Sequence, residues 1–313
     1  MLHLRAVSPV DRTDRVLDLL REHPGVTHLV LVRGAAVRPA GDVVEADVAR
    51  EATDEVVASL CALGLDRDGG VTLEVIDTAL SDAADRAEAS VPGDGADAVV
   101  WEELIARTGE ESRLNTTFQA FLTIACLLTA VAVVTDSPVT LVGAMVVGPE
   151  FGPLAAIAVG LVLRRWDLVR RAGAALALGF PLAMLITAFG AWLGSYTDLF
   201  DRDLALAGHQ VDFVFEVGPF SLIVALLAGA AGMLSMTSAK SAALVGVFIS
   251  VTTVPAAGYA AVAAVLGEWD ICLRSITQLA VNLVGVVVAA ALVLAVRNRR
   301  RRPRDVGRPL STG

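Results

Sequence analysis

The residues of this chain best placed to do chemistry lie inside one apolar stretch, Val139–Leu163. Within it a single carboxylate, Glu150, stands between Gly148-Pro149 and Phe151-Gly152-Pro153. The prolines remove backbone donors and crowd the preceding turn, and the glycines loosen the helix between them. At about 1.5 Å per residue, Glu150 lies roughly 16 Å into a hydrocarbon layer of about 30 Å, near its midplane. An ionisable group there costs several kcal/mol unless it faces protein or water, so the acid and the broken backbone together mark an internal polar site. A second run, Ser250-Val-Thr252-Thr253-Val254-Pro255, supplies hydroxyls and another proline break. A carboxylate with nearby hydroxyls and unbonded carbonyls suits a cation, a proton, or a small polar solute bound with one. The candidate binding set is therefore Glu150, Gly148, Pro149, Gly152, Thr252, Thr253, Pro255 and Asn282.

Each of these residues also has a purely structural reading. Glu150 equally suits a hydrogen bond between helices. Gly148 and Gly152 form a small-xxx-small face that packs helices closely. Hydroxyls such as those of Ser250, Thr252 and Thr253 often bond back to their own helix. Gln278 and Asn282, polar residues at depth without an evident partner, read as bridges between helices. Asp136 and Ser137 read as N-caps, and Lys240 as an orientation charge.

The elements that must position these groups follow from a sharp break in composition. The 313 residues are 55% hydrophobic with mean hydropathy +0.65, but the load is uneven. Residues 1–115 hold 11 Arg against 23 Asp and Glu, whereas residues 116–313 hold 14 Lys and Arg against 11 acids. An acidic soluble domain followed by a membrane domain is the direct reading, and the acidity argues against nucleic acid as a partner. Met1-Leu-His-Leu-Arg5 does not begin a signal peptide, so the first domain is expected in the cytoplasm. Cys61, Cys126 and Cys272 read as three unpaired thiols.

Residues 1–78 alternate as strand Leu2–Val7, helix Asp11–Glu22, strand Gly25–Val32, strand Asp42–Val48, helix Glu51–Leu63 closed by Gly64, and strand Val71–Ile76. The β-α-β-β-α-β order predicts a ferredoxin-like α+β domain, structural, oligomerising or ligand-sensing. Residues 79–116 read as a linker, with a short helix at most, and an amphipathic juxtamembrane helix over Val99–Leu114 that connects through solvent.

Six apolar segments follow: Thr117–Val134, Val139–Leu163, Ala172–Gly194, Pro219–Met236, Ser241–Gly267 and Ser275–Val296. Each meets the roughly 17–25 residues a crossing requires. Arg164, Arg165, Arg170, Arg171, Lys240 and the arginines of the 297–313 tail fall on one side. Positive charge inside then places both termini in the cytoplasm of a multi-pass inner (plasma) membrane protein.

A shift of about 103 residues lays spans one, two and three on four, five and six, and sets Thr253 opposite Glu150. Three spans is an odd number, so the halves must be inverted, the plan of many secondary transporters. No Walker sequence, G-x-S-x-G or HExxH occurs, and His3, His23, His28 and His209 do not pair at metal-ligand spacing. No nucleophile–base pair is visible, so an enzyme is not expected; the sequence leaves any cofactor unknown.

The set Asn115-Thr-Thr-Phe118, Asp136-Ser-Pro138, Gly143-Ala-Met145, Gly148-Pro149-Glu-Phe-Gly152-Pro153, Arg165-Trp-Asp167, Ala230-Ala-Gly232-Met-Leu-Ser235, Leu244-Val-Gly246, Val254-Pro255 and Asn282-Leu-Val-Gly285 resembles an uncharacterised hydrophobic family, domain of unknown function 389. The resemblance covers roughly residues 99–290 and implies a bacterial or archaeal integral membrane protein of unassigned activity. Glu150 stands where the resemblance implies an apolar residue. The reading is an all-α, six-span membrane domain with an inverted 3+3 repeat, acting as a secondary transporter or channel for an ion or small polar solute. Its cytoplasmic domain would regulate or oligomerise it, as a homo-oligomer in the lipid bilayer. The alternative is a sensor or scaffold that moves nothing, whose soluble domain binds a ligand or partner.

Overall fold

The structure, a computed structural model, describes residues 1–76, 78–93, 98–200, 211, 218–238 and 253–301. The chain divides into two compact units, one built on Met1–Leu104 and the other on Ile105–Met236 and Ser241–Gly313.

In the first unit the strands are β1 (Leu2–Ser8), β2 (Val26–Val37), β3 (Ala40–Val48) and β4 (Gly70–Val75). The helices are α1 (Thr13–Glu22), α2 (Arg50–Ala62) and the single turn α3 (Leu65–Asp68). The sheet order is β2-β3-β1-β4 with every neighbour antiparallel, so β3 is inserted between β1 and β2 and splits the β1-α1-β2 unit. β1 shows the two-residue period of a half-buried strand: Leu2, Leu4, Ala6 and Ser8 face inward. Leu4 and Ala6 meet Val16, Leu17 and Leu20 of α1 and Val56, Val57 and Leu60 of α2 in one core. Each such leucine contributes about 1.5–3 kcal/mol on burial, against the conformational entropy of ordering it. Gly64 closes α2 in the left-handed region at φ 81, as the sequence predicts.

The linker holds more structure than its composition suggests. α4 (Asp82–Ser90) is capped by Ser81, whose hydroxyl accepts from the amides of Ala83 and Ala84. α5 (Trp101–Glu111) is not simply a solvated connector: Val100, Trp101 and Leu104 are buried, and the Trp101 amide donates to the Asp54 carboxylate of α2.

In the second unit α6 (Thr116–Val134), α9 (Trp166–Tyr196), α10 (Pro219–Thr237) and α12 (Trp269–Arg301) are long and apolar enough to cross a membrane. The pair α7 (Pro138–Val147) and α8 (Phe151–Leu163) passes the same test together, bent by 51° at its break. The described residues thus hold four helices that length and composition suit to crossing, or five crossings with the bent pair. The expected fifth segment is described only as α11 (Val254–Leu266), and residues 241–252 lie outside the described residues.

α11 runs through the middle of the unit. Every residue from Thr253 to Ala263 is buried, and the helix packs on α6, α7, α9 and α12. An Ala- and Gly-rich sequence permits that: a Cβ on Gly258 would come within 2.5 Å of Thr129 Cβ and 2.9 Å of the Cys126 carbonyl oxygen. The outer helices instead turn Leu182, Leu185, Phe189, Val284, Val288 and Leu292 outward, an apolar surface suited to lipid and costly in water. The membrane character of the chain rests on these helices.

Candidate functional site

The break in α7–α8 follows from local sequence. Ser137 caps α7 by accepting from the Thr140 amide at 3.3 Å, and Pro138 opens its first turn. Pro149 then disfavours helical backbone at the residue before it, and Gly148 is extended at φ −63, ψ 127. α8 starts at Phe151 with Pro153 in its first turn, where no amide is needed for the ladder. α11 begins the same way, with Thr253 at its N-cap and Pro255 in its first turn.

Glu150 is wholly buried at this break, and its Oε1 accepts a hydrogen bond from Thr253 Oγ1. Thr253 thus bonds to the acid rather than back to its own helix. The two residues are the N-cap positions of α8 and α11, and neither side chain caps its own helix. Two helix N-termini, each the positive end of a peptide dipole, therefore converge on one carboxylate–hydroxyl pair. Thr252 and Ser250 lie outside the described residues.

Gly148, Pro149, Phe151 and Gly152 form part of the wall of a cavity of about 410 Å³. Phe118 and Phe121 of α6 line its apolar side; Arg107, Glu110, Glu111 and Arg113 line the end where α5 leads into α6. Arg107 Nε donates to Glu111 Oε1 at 3.1 Å, and Arg113 pairs with Glu110 at 3.1 Å. Arg171 of α9 fastens the same end of α5, donating to the Gly109 carbonyl at 2.8 Å. Gly152 is required there, because a Cβ would lie 2.6 Å from Glu111 Cβ and 3.2 Å from its carbonyl oxygen. Glycine exposes only backbone, so the cavity meets the peptide groups of the break, while Glu150 does not line it.

Asn282 belongs to a second polar cluster, between α10 and α12. Gln278 Nε2 donates to Ser221 Oγ and, at 3.3 Å, to Asn282 Oδ1, and Ser221 Oγ donates to Asn282 Oδ1 at 3.3 Å. The sequence leaves Gln278 and Asn282 without an evident partner; in the structure they bond to each other and to the neighbouring helix. Ser275 Oγ and Gln278 Oε1 are buried with no hydrogen-bond partner among the described residues.

Residues 145–295 match a family model described as Domain of unknown function (DUF389). The DUF389 match takes in the break, α11 and both polar clusters, and its description assigns no activity. It leaves out residues 1–144, and with them the Met1–Leu104 part of the first unit. Neither a curated protein nor a solved structure matches the chain.

The charged lining of the cavity escapes sequence reading because Arg107, Glu111 and Arg113 look like an ordinary solvated helix end. Only the glycine at 152, one turn beyond the proline break, hints that something packs there.

Proposed function

We propose that the second unit is a transporter or channel for an ion or small polar solute, with Glu150 as its coordinating or coupling carboxylate. The observation that carries this is the meeting of the break in α7–α8 with the start of α11, through their N-cap residues, inside an apolar bundle. A buried acid in such a bundle costs several kcal/mol, and a membrane protein retains it chiefly where charge or protons move. The 410 Å³ cavity offers an aqueous approach to the break.

The fold we propose is six crossings arranged as an inverted 3+3 repeat. Pairs separated by 103 residues support it. Glu150 and Thr253 are such a pair, and they bond to each other. Phe118 packs on Gly179, and Ser221 bonds to Asn282, the residues 103 further on in each case. α8 packs on α9 and α12, as its counterpart α11 packs on α12 and α9. The first unit would be a ferredoxin-like regulatory or oligomerising domain in the cytoplasm, with both termini on that side of the inner membrane.

The test is reconstitution of wild type and Glu150→Gln in liposomes, with proton, cation and small-solute fluxes measured. Flux in wild type that Glu150→Gln lowers at least tenfold supports the reading. Equal fluxes in the two proteins remove Glu150 from the mechanism, and no flux in either favours the sensor or scaffold.

A further inference from the structure

A chain of hydrogen bonds runs through four residues of the first unit. Ser81 Oγ lies 2.9 Å from His28 Nε2, and His28 Nδ1 lies 2.6 Å from Asp47 Oδ2. The other carboxylate oxygen of Asp47 is held by His3 Nδ1 at 2.9 Å. The four residues come from the N-cap of α4, β2, β3 and β1, so no sequence motif announces them.

From this geometry we propose that Ser81, His28 and Asp47 form a nucleophilic triad that hydrolyses small uncharged carboxylic esters. Roles follow from which atom meets which. A neutral imidazole that donates through Nδ1 to Asp47 presents an acceptor at Nε2, facing the serine hydroxyl. Asp47 is bonded on both oxygens and so holds that tautomer and ring orientation. His28 has φ 50, in the left-handed region, at the register shift between Thr27 and Val30 of the β2–β3 pair. Bulges of this kind re-aim a side chain, and strained non-glycine backbone clusters at functional sites. Burial alone would raise the Asp47 carboxyl, but the hydrogen bonds from His28 and His3 outweigh it and hold the group below its ordinary value.

The reaction balances with water as the only co-reactant. Ser81 Oγ bonds to the ester carbonyl carbon as its proton passes to His28 Nε2. The carbonyl oxygen takes the electron pair and becomes an oxyanion. The amides of Ala83 and Ala84 donate to Ser81 Oγ from 3.2 and 3.4 Å and hold that oxygen in place beside His28. Collapse breaks the carbon–alkoxy bond, and the proton on His28 goes to the departing alcohol. Water then attacks the acyl-serine through the same base, releasing the carboxylic acid and restoring Ser81. His28 is 40% exposed, so the site is open to a small molecule. Asp82 and Asp85, exposed in the first turn of α4, repel anionic esters.

The experiment uses full-length protein in detergent, a fluorophosphonate probe with mass-spectrometric mapping of the adduct, and p-nitrophenyl butyrate hydrolysis. Because Ser81 also caps α4, the informative variant is Ser81→Asn, which keeps a capping acceptor and removes the nucleophile. We expect an adduct on Ser81 in wild type and hydrolysis that falls to background in Ser81→Asn. In His28→Gln it falls by about 100-fold or more, the scale of a lost general base. No adduct on Ser81, or hydrolysis unchanged in Ser81→Asn or in His28→Gln, overturns the proposal.

Discussion

Replacing Thr253 by valine tests whether the break in α7–α8 and the start of α11 are held together by the Glu150–Thr253 bond. Valine keeps the β-branched shape and removes only the hydroxyl that donates to Glu150 Oε1. Thr253 makes no capping bond to α11, so the change does not uncap that helix. Both residues are wholly buried, so solvent replaces nothing that is lost. A hydrogen bond to a charged partner contributes about 1.5–3 kcal/mol, and one to a neutral partner about 0.5–1.5 kcal/mol. Thr253→Val should therefore destabilise the second unit by about 1–3 kcal/mol, read from unfolding in mixed micelles by tryptophan fluorescence. A cycle with Glu150→Gln isolates the pair: the double variant should lose less than the sum of the singles. A cost below about 0.5 kcal/mol, or strict additivity, would refute the pairing.

Other outcomes are equally specific. Gly229→Ala puts a Cβ 2.4 Å from the Val286 carbonyl oxygen, so α10 and α12 must part at a cost of about 1–3 kcal/mol; Gly143→Ala meets nothing within 4 Å and should be neutral or stabilising by up to about 1 kcal/mol in the same unfolding assay. The Asp47 carboxyl is held low in the folded state, so its stabilisation is complete above its unfolded value near 3.9 and is lost as pH falls through the lower folded value. Urea titrations between pH 2 and pH 6 should show Asp47→Asn flattening that acid limb. Cys61 is exposed whereas Cys126 and Cys272 are buried, so alkylation in native protein should fall on Cys61. Its thiol is pushed up by burial and by Asp66 and Glu102, so alkylation should be slow at neutral pH and accelerate as pH rises past the ordinary thiol range.

The parts of this fold governed by local rules could be read in advance. Pro149 disfavours helical backbone at Gly148 before it, so the interruption at Glu150 follows from the residues themselves. Period-two burial in β1 and the left-handed Gly64 are of the same kind. What could not be read depends on tertiary neighbours. Val254–Leu266 has the composition of any crossing helix, and only the surrounding helices make it the buried centre. Thr253 has a hydroxyl that bonds its own helix or another with similar ease, and its choice depends on where Glu150 falls. His28, Asp47 and Ser81 are far apart in sequence and meet through a register shift that no periodicity encodes.

The account stands on the break being wet. Gly148 has a backbone conformation that any L-residue adopts, and it lines the cavity, so Gly148→Cys can be made in a background lacking Cys61, Cys126 and Cys272. Reaction of that thiol with a membrane-impermeant maleimide in sealed vesicles measures access to the break directly. The account predicts labelling from the side that carries α5, slowed when a transported solute is present. A thiol that stays unreactive from both sides, in protein shown to be folded, would make the second crossing a dry structural kink and contradict the transport reading.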